Sequence, residues 1–146
     1  MAADLPTPPP LTLRAAKPID AARIGTLFSQ LGYATPLAHL QAQLQAPDAD
    51  VVVAIHSEMV VGVLVMHVFT PLHVARPWAV ISSLVVDETL RSLGAGAALV
   101  AHAQQLALAR NCAHVELSCS ERRTDAHRFY LAQGFVELRK RFVKPL

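Results

Sequence analysis

The 146 residues are 53% hydrophobic, one domain's worth of chain with enough apolar side chain for a sizeable core, so two domains are not expected. A formal charge of +2 and a pI of about 8.8 suit a small anionic ligand but fall well short of a dedicated nucleic-acid binder, and no nucleic-acid partner is expected. The longest apolar run, Met59 to Met66, is too short to cross a bilayer, and MAADLPTPPPL lacks the basic and apolar regions of an export signal. A cytoplasmic protein with no membrane partner is expected.

Prolines at 6, 8, 9 and 10 make residues 1–10 an extended, flexible leader, leaving 11–146 as one domain. LTLRAA (11–16) alternates as a first strand, and Ile24, Leu27, Phe28 and Leu31 recur at helical spacing before a stop at Gly32. Thr35 and Pro36 signal a cap and first turn, and Leu37, Leu40 and Leu44 mark a second helix ending before Pro47. VVVAI (51–55) and MVVGVLVMHVF (59–69), joined by polar HSE, predict a hairpin of central strands. After a loop with Pro71 and Pro77, WAVISSLVV (78–86) predicts a strand, and Leu99, Ala103, Leu106 and Arg110 a helix that stops at Asn111.

HVELS (114–118) is a further strand. Its flanking Cys112 and Cys119 would be held beyond bridging distance, so both are expected as free thiols acting as small hydrophobes. Thr124 is expected to cap DAHRFYLAQ, with Ala126, Phe129 and Tyr130 on one face, Gly134 as the stop and Phe135 in contact after it. The tail is expected to add one or two strands. This order predicts an α/β domain with a mixed sheet and helices on both faces. No metal-ligand spacing is present.

LVVDETLRSLGAGAAL (84–99) carries the most chemistry. A turn that leaves a strand and opens a helix presents unpaired N–H groups at the positive end of the helix dipole. Glycines at 94 and 96 allow a sharp bend and close approach to an anion, and Arg91 adds a full charge. The dinucleotide fingerprint fails because Leu99 stands where the third glycine belongs and several strands precede the turn. A Walker loop needs Gly-Lys followed by Ser or Thr, which the chain lacks. A tight turn without a ligand stays open as the plainer alternative.

VVDETLRSLGAGAAL is similar to the RxxGxG/A signature of the GNAT superfamily of acetyl-CoA-dependent N-acetyltransferases, and AHRFYLAQGF (126–135) resembles that superfamily's Ala, Tyr, Gly-Phe motif. SERRTDAHRFYLAQGFVELRKRFVKPL looks especially like the C-terminal part of the aminoalkylphosphonate N-acetyltransferases. The resemblance implies a GNAT fold with a mixed, mostly antiparallel central sheet, acetyl-CoA as cosubstrate and a small-molecule primary amine as acceptor, with an aminoalkylphosphonate the nearest match. It also implies that the backbone of Leu84, Val85 and Val86 holds the pantetheine arm like an extra strand. Arg91, Ser92, Leu93, Gly94, Ala95, Gly96 and Ala97 would hold the pyrophosphate, a backbone N–H near Val86 the oxyanion, and Tyr130, beside the cofactor, would protonate the departing thiolate. A homodimer through apolar C-terminal strands is a further implication.

An alkylamine of pKa near 10 is neutral in only about one molecule in a thousand at pH 7, about 4 kcal/mol of barrier, so a proton acceptor is needed. Many members of the superfamily place a glutamate on the strand before the turn, but WAVISSLVV has no carboxylate. Glu116 and His73 rank first among the remaining groups, ahead of His67, Asp125 and His127, with Ser82, Ser83 and water as relays. Around the lining from Phe69 to Trp78 and the face of Ile81 and Ser83, a phosphonate acceptor should require basic donors and a cationic one carboxylates. Two alternatives stand beside this: a noncatalytic acyl-CoA-binding or interaction domain, and transfer to a protein or peptide amine.

Overall fold

The structure, a computed structural model, describes residues 7 and 9–146. Most of the expected leader, residues 1–6 and 8, lies outside the described residues; Thr7, Pro9 and Pro10 are exposed and irregular. The elements are β1 (Thr12–Ala15), α1 (Ala21–Gln30, entered by a 3-10 turn at Pro18–Asp20), α2 (Leu37–Gln45), β2 (Asp50–His56), β3 (Met59–Phe69), β4 (Trp78–Val86), α3 (Ala95–Ala109, entered by a 3-10 turn at Arg91–Leu93), β5 (Val115–Leu117) and α4 (Thr124–Ala132).

Among the described residues the strands form one sheet in the order β1-β2-β3-β4-β5. Every pairing is antiparallel except β4 with β5. The β2–β3 hairpin closes at Ser57 and Glu58, both left-handed at φ 48° and 62°, a turn whose twist matches that of the flanking strands. The parallel pair needs a long crossover, which α3 supplies. The sheet is thus mixed and mostly antiparallel, with helices on both faces, as expected.

β3 reads as an unbroken apolar run because both its faces are covered. Val63, with Val53 and Val85 of its neighbours, packs under Ile24 and Leu27 of α1 and Leu40 and Leu44 of α2. Leu64 and Met66 face the other way, onto Leu99, Ala103 and Ala107 of α3. Cys112 is buried in this second cluster, and both cysteines are free.

Three local expectations are corrected. Pro36 stands at the N-cap of α2 rather than in its first turn, and no side-chain cap bond is made there. Thr124 is the first residue of α4, with Arg123 at the N-cap and again no side-chain cap, because a residue already in helical conformation cannot fold its hydroxyl back as a cap. Residues 135–146 contain no strand, and Val136, Leu138, Phe142 and Val143 are exposed. A strand needs a partner edge, and the adjacent β5 is only 3 residues long.

Candidate active site

β4 pairs with β3 along its length but with β5 only through Ala79, Val80 and Ile81. Beyond Ile81 the two parallel strands part, and the edge of β4 from Ser82 to Val86 is left without a β5 partner. The cause lies in the register: Met66 pairs with Ile81 and Val65 with Ser83, so Ser82 is an extra, unpaired residue. A bulge of this kind bends its strand and raises its twist. It also overturns the expectation that Ile81 and Ser83 share a face. Ile81 is buried with α3, whereas Ser83 lies beside Val65 on the α1/α2 side.

The turn after β4 is anchored from below. Asp87 is buried, and its carboxylate accepts bonds from the Thr89 N–H at 3.0 Å, the Thr89 hydroxyl at 2.8 Å and the Arg23 guanidinium at 2.9 Å. Those bonds, the Thr89 backbone donor foremost, then Arg23 and the Thr89 hydroxyl, lower its pKa to about 2. Arg23 also donates twice to the Val60 carbonyl at 3.0 and 2.8 Å, and the Gln30 side-chain oxygen accepts from the Glu88 N–H at 3.0 Å. Helix α1 therefore fixes the start of the turn. Asp-x-Thr is a readable turn signal, but its partner Arg23 is 64 residues away in sequence.

Gly94 has φ +75°, and a Cβ built there meets nothing within 4 Å, so backbone conformation alone demands glycine. α3 begins at Ala95, and its first internal bond runs from the Ala98 N–H to the Gly94 carbonyl at 3.1 Å. The N–H groups of Ala95, Gly96 and Ala97 therefore have no partner within the helix. Arg91 and Ser92 are exposed at the mouth. Gly96 has a different reason, not visible in the sequence: a Cβ there would stand 3.2 Å from Phe129 Cζ, so glycine lets α4 close onto α3.

Tyr130 follows Phe129 on α4 and lies edge-on to Phe129 and Phe135, with ring centroids at 5.3 and 5.7 Å. Burial raises its pKa, Cys119 adds to the rise and Arg123 opposes it. The phenol is therefore kept protonated, the state an acid needs.

The other predicted site residues gather on the opposite face of β4 and β5. His67, Val80 and Glu116 are successive partners across β3, β4 and β5. Glu116 lies 2.7 Å from His114 Nε2. His114 in turn lies 5.0 Å from the Trp78 ring, His73 meets that ring edge-on at 5.6 Å, and the Arg139 guanidinium stands 5.9 Å from its centroid. One indole thus collects three basic side chains, one of them holding Glu116. His67 Nε2 lies 3.0 Å from the Ser82 hydroxyl on the bulge. Asp125 and His127 are otherwise engaged, with Arg128 and with the Ser120 carbonyl. A larger cavity of about 610 Å³ between α1 and α2 is lined by Gly25, Thr26, Tyr33 and Leu37 among others, without a charged side chain.

The parallel pair parts beyond Ile81, and β4 leads through the glycine turn into α3, against which Phe129 of α4 closes. The model of the acetyltransferase (GNAT) family matches residues 22–135, and the chain belongs to that family. It is 33% identical to the aminoalkylphosphonate N-acetyltransferase of Salmonella typhimurium strain LT2 over 120 residues, covering 82% of this chain and 78% of the relative. Two solved structures share the fold. A transcriptional regulator from Bacillus halodurans C-125 is 22% identical, with a TM-score of 0.83 over 94% of this chain and 100% of its own. An aminoglycoside acetyltransferase from an uncultured soil metagenomic sample, in complex with sisomicin, is 21% identical, with a TM-score of 0.76 over 93% of this chain and 96% of its own.

Proposed function

We propose that the chain transfers the acetyl group of acetyl-CoA to the primary amine of a small molecule carrying an anionic end, an aminoalkylphosphonate in the first instance. The observation that carries the reading is the open edge of β4, which starts at the Ser82 bulge and runs directly into the Gly94 turn. Bound acetyl-CoA supplies a thioester open to attack by an amine. The backbone of Leu84, Val85 and Val86 offers amide groups to the pantetheine arm. The turn from Arg91 to Ala97 offers N–H groups, a helix dipole and one guanidinium to the pyrophosphate.

Tyr130 is proposed as the acid for the departing sulfur, with its phenol held protonated by burial. Glu116 and His73 are proposed to handle the ammonium, from the face opposite Tyr130. His114 and Arg139 around Trp78 supply the basic donors that a phosphonate requires. The phosphonate relative supports the same choice, and family membership favours an enzyme over a noncatalytic binding domain. The exposed apolar side chains of the tail, Leu138 and Phe142 among them, support a homodimer, which a sizing measurement checks.

The test is free-thiol release from acetyl-CoA over a panel of aminoalkylphosphonates, polyamines, aminoglycosides, amino acids and a peptide with a free N-terminus. An aminoalkylphosphonate should exceed the alkylamine lacking its phosphonate by about tenfold or more in kcat/KM, as expected for charge-assisted bonds to the anion. Preference for the peptide would move the acceptor to a protein amine. No release with any amine would overturn the transfer.

A further inference from the structure

The bulge does more than part the strands. Ser82 is exposed, unpaired in the ladder and next after the last β4–β5 pair, so its hydroxyl stands where the open edge begins. That hydroxyl is 3.0 Å from His67 Nε2 on the neighbouring strand. His67 also lines a cavity of about 160 Å³ with Ile24, Phe28, Val51, Val65 and Asp48. The pair thus lies between the mouth of the parted strands and a space that can take part of a small acceptor, on the same face as Glu116.

We propose that the acceptor's ammonium loses its first proton through the Ser82 hydroxyl to Nε2 of His67. This rests on the acetyl-transfer reading above. Ser82 touches the acceptor and His67 acts through it. The hydroxyl takes a proton from the ammonium as it gives its own to Nε2, so serine ends unchanged, the nitrogen regains its lone pair and His67 passes the proton to water. As the C–N bond forms and the C–S bond breaks, Tyr130 gives its proton to sulfur, the nitrogen loses its second proton to water, and the phenolate regains a proton from water, so both residues end unchanged. The other titratable or charged groups on this side are Glu116 of β5, His114 just before it, His73 and Arg139 around Trp78, and Asp48 before β2. Glu116 lies two strands from His67, about 10 Å, and Val80 stands between them. Glu116 and His73 are left to attract and orient the acceptor.

The experiment compares the full chain with His67→Ala, Ser82→Ala, the double variant and Glu116→Gln, using the best amine of the panel. His67→Ala and Ser82→Ala should each lower kcat at pH 7 by about a hundredfold, the lower end for a lost general base. The double variant should lose no more than the worse single one, with acetyl-CoA affinity within twofold throughout. Three readouts separate relay from packing: the deficit should shrink about tenfold per pH unit toward the amine's own pKa, imidazole should restore turnover to His67→Ala, and Ser82→Ala should shift the His67 ring nitrogens in the 15N NMR spectrum of the free protein. Should His67→Ala not fold, Ser82→Ala, which removes one exposed oxygen, and its NMR shift carry the test. Single variants within twofold of the parent, a deficit that is constant with pH, or an unmoved His67 spectrum would overturn the relay. A larger loss in Glu116→Gln that fades with pH would give the role to Glu116 instead. A parent that releases no thiol with any amine would remove the transfer and the relay together.

Discussion

The two halves of the proposed site are built from different materials. On the α3 side, the open edge of β4 and the turn through Gly94 present backbone, and Arg91 and Tyr130 are the side chains proposed to act there. On the α1/α2 side everything is side chain: His67 and Ser82 meet across β3 and β4, and Glu116, His114, His73 and Arg139 gather around Trp78. A backbone site recognises groups common to every coenzyme A ester and constrains the sequence through conformation. A side-chain site recognises one acceptor and can be rewritten residue by residue. Substitutions on the first half should therefore change acetyl-CoA handling for all amines, and those on the second should change which amine is used.

The largest effect that sharpens this contrast should come from Tyr130→Phe. Turnover should fall at least about a hundredfold with every amine alike, while the KM for acetyl-CoA stays within twofold. An unchanged kcat would remove the acid role, and a lost fold would assign the ring to packing.

Next in size is Asp87→Asn, which takes the charge from the anchor beneath the turn. Loss of charge-assisted bonds should cost about 2 kcal/mol, a shift of about thirtyfold in the folding equilibrium, and should raise the KM for acetyl-CoA rather than the acceptor's. Because the folded pKa lies near 2, below that of an unfolded aspartate, this contribution is fully present above about pH 4 and disappears as pH falls toward 2. Urea melts of parent and variant should differ at pH 6 and converge near pH 2. A constant difference would show that the carboxylate's charge is not the cause.

The smallest effect is expected for Gly94→Ala. An alanine at φ +75° carries about 1 kcal/mol of strain, so the acetyl-CoA KM should rise several-fold with kcat at saturation nearly unchanged. Identical binding would mean that the turn does not need its left-handed residue.

What the sequence made legible divides along the same line. The limits of β3 and β4 follow from dense β-branched residues, and the glycine turn follows from conformational demand at Gly94, so local composition carries both. The bulge does not announce itself, because nothing in Ile-Ser-Ser-Leu says which strand position goes unpaired, and that one extra residue puts Ile81 and Ser83 on opposite faces. The ring of basic groups around Trp78 of β4 joins residues from the loop before β4, the turn before β5 and the tail, contacts set by register rather than by spacing. The tail misled for a related reason: FVELRKRFV has the composition of a strand, but β5 offers it too short an edge.

The central claim is that the opened β4 edge and the Gly94 turn hold the cosubstrate while the opposite face receives the amine. A crystal structure of the chain with coenzyme A tests it most directly. The account predicts pantetheine amides within hydrogen-bonding distance of the Leu84–Val86 backbone, the pyrophosphate on the N–H groups of residues 95–97, and the sulfur between Tyr130 and Ser82. Coenzyme A bound elsewhere, or a β4 edge closed by the chain's own tail with the cofactor present, would contradict it.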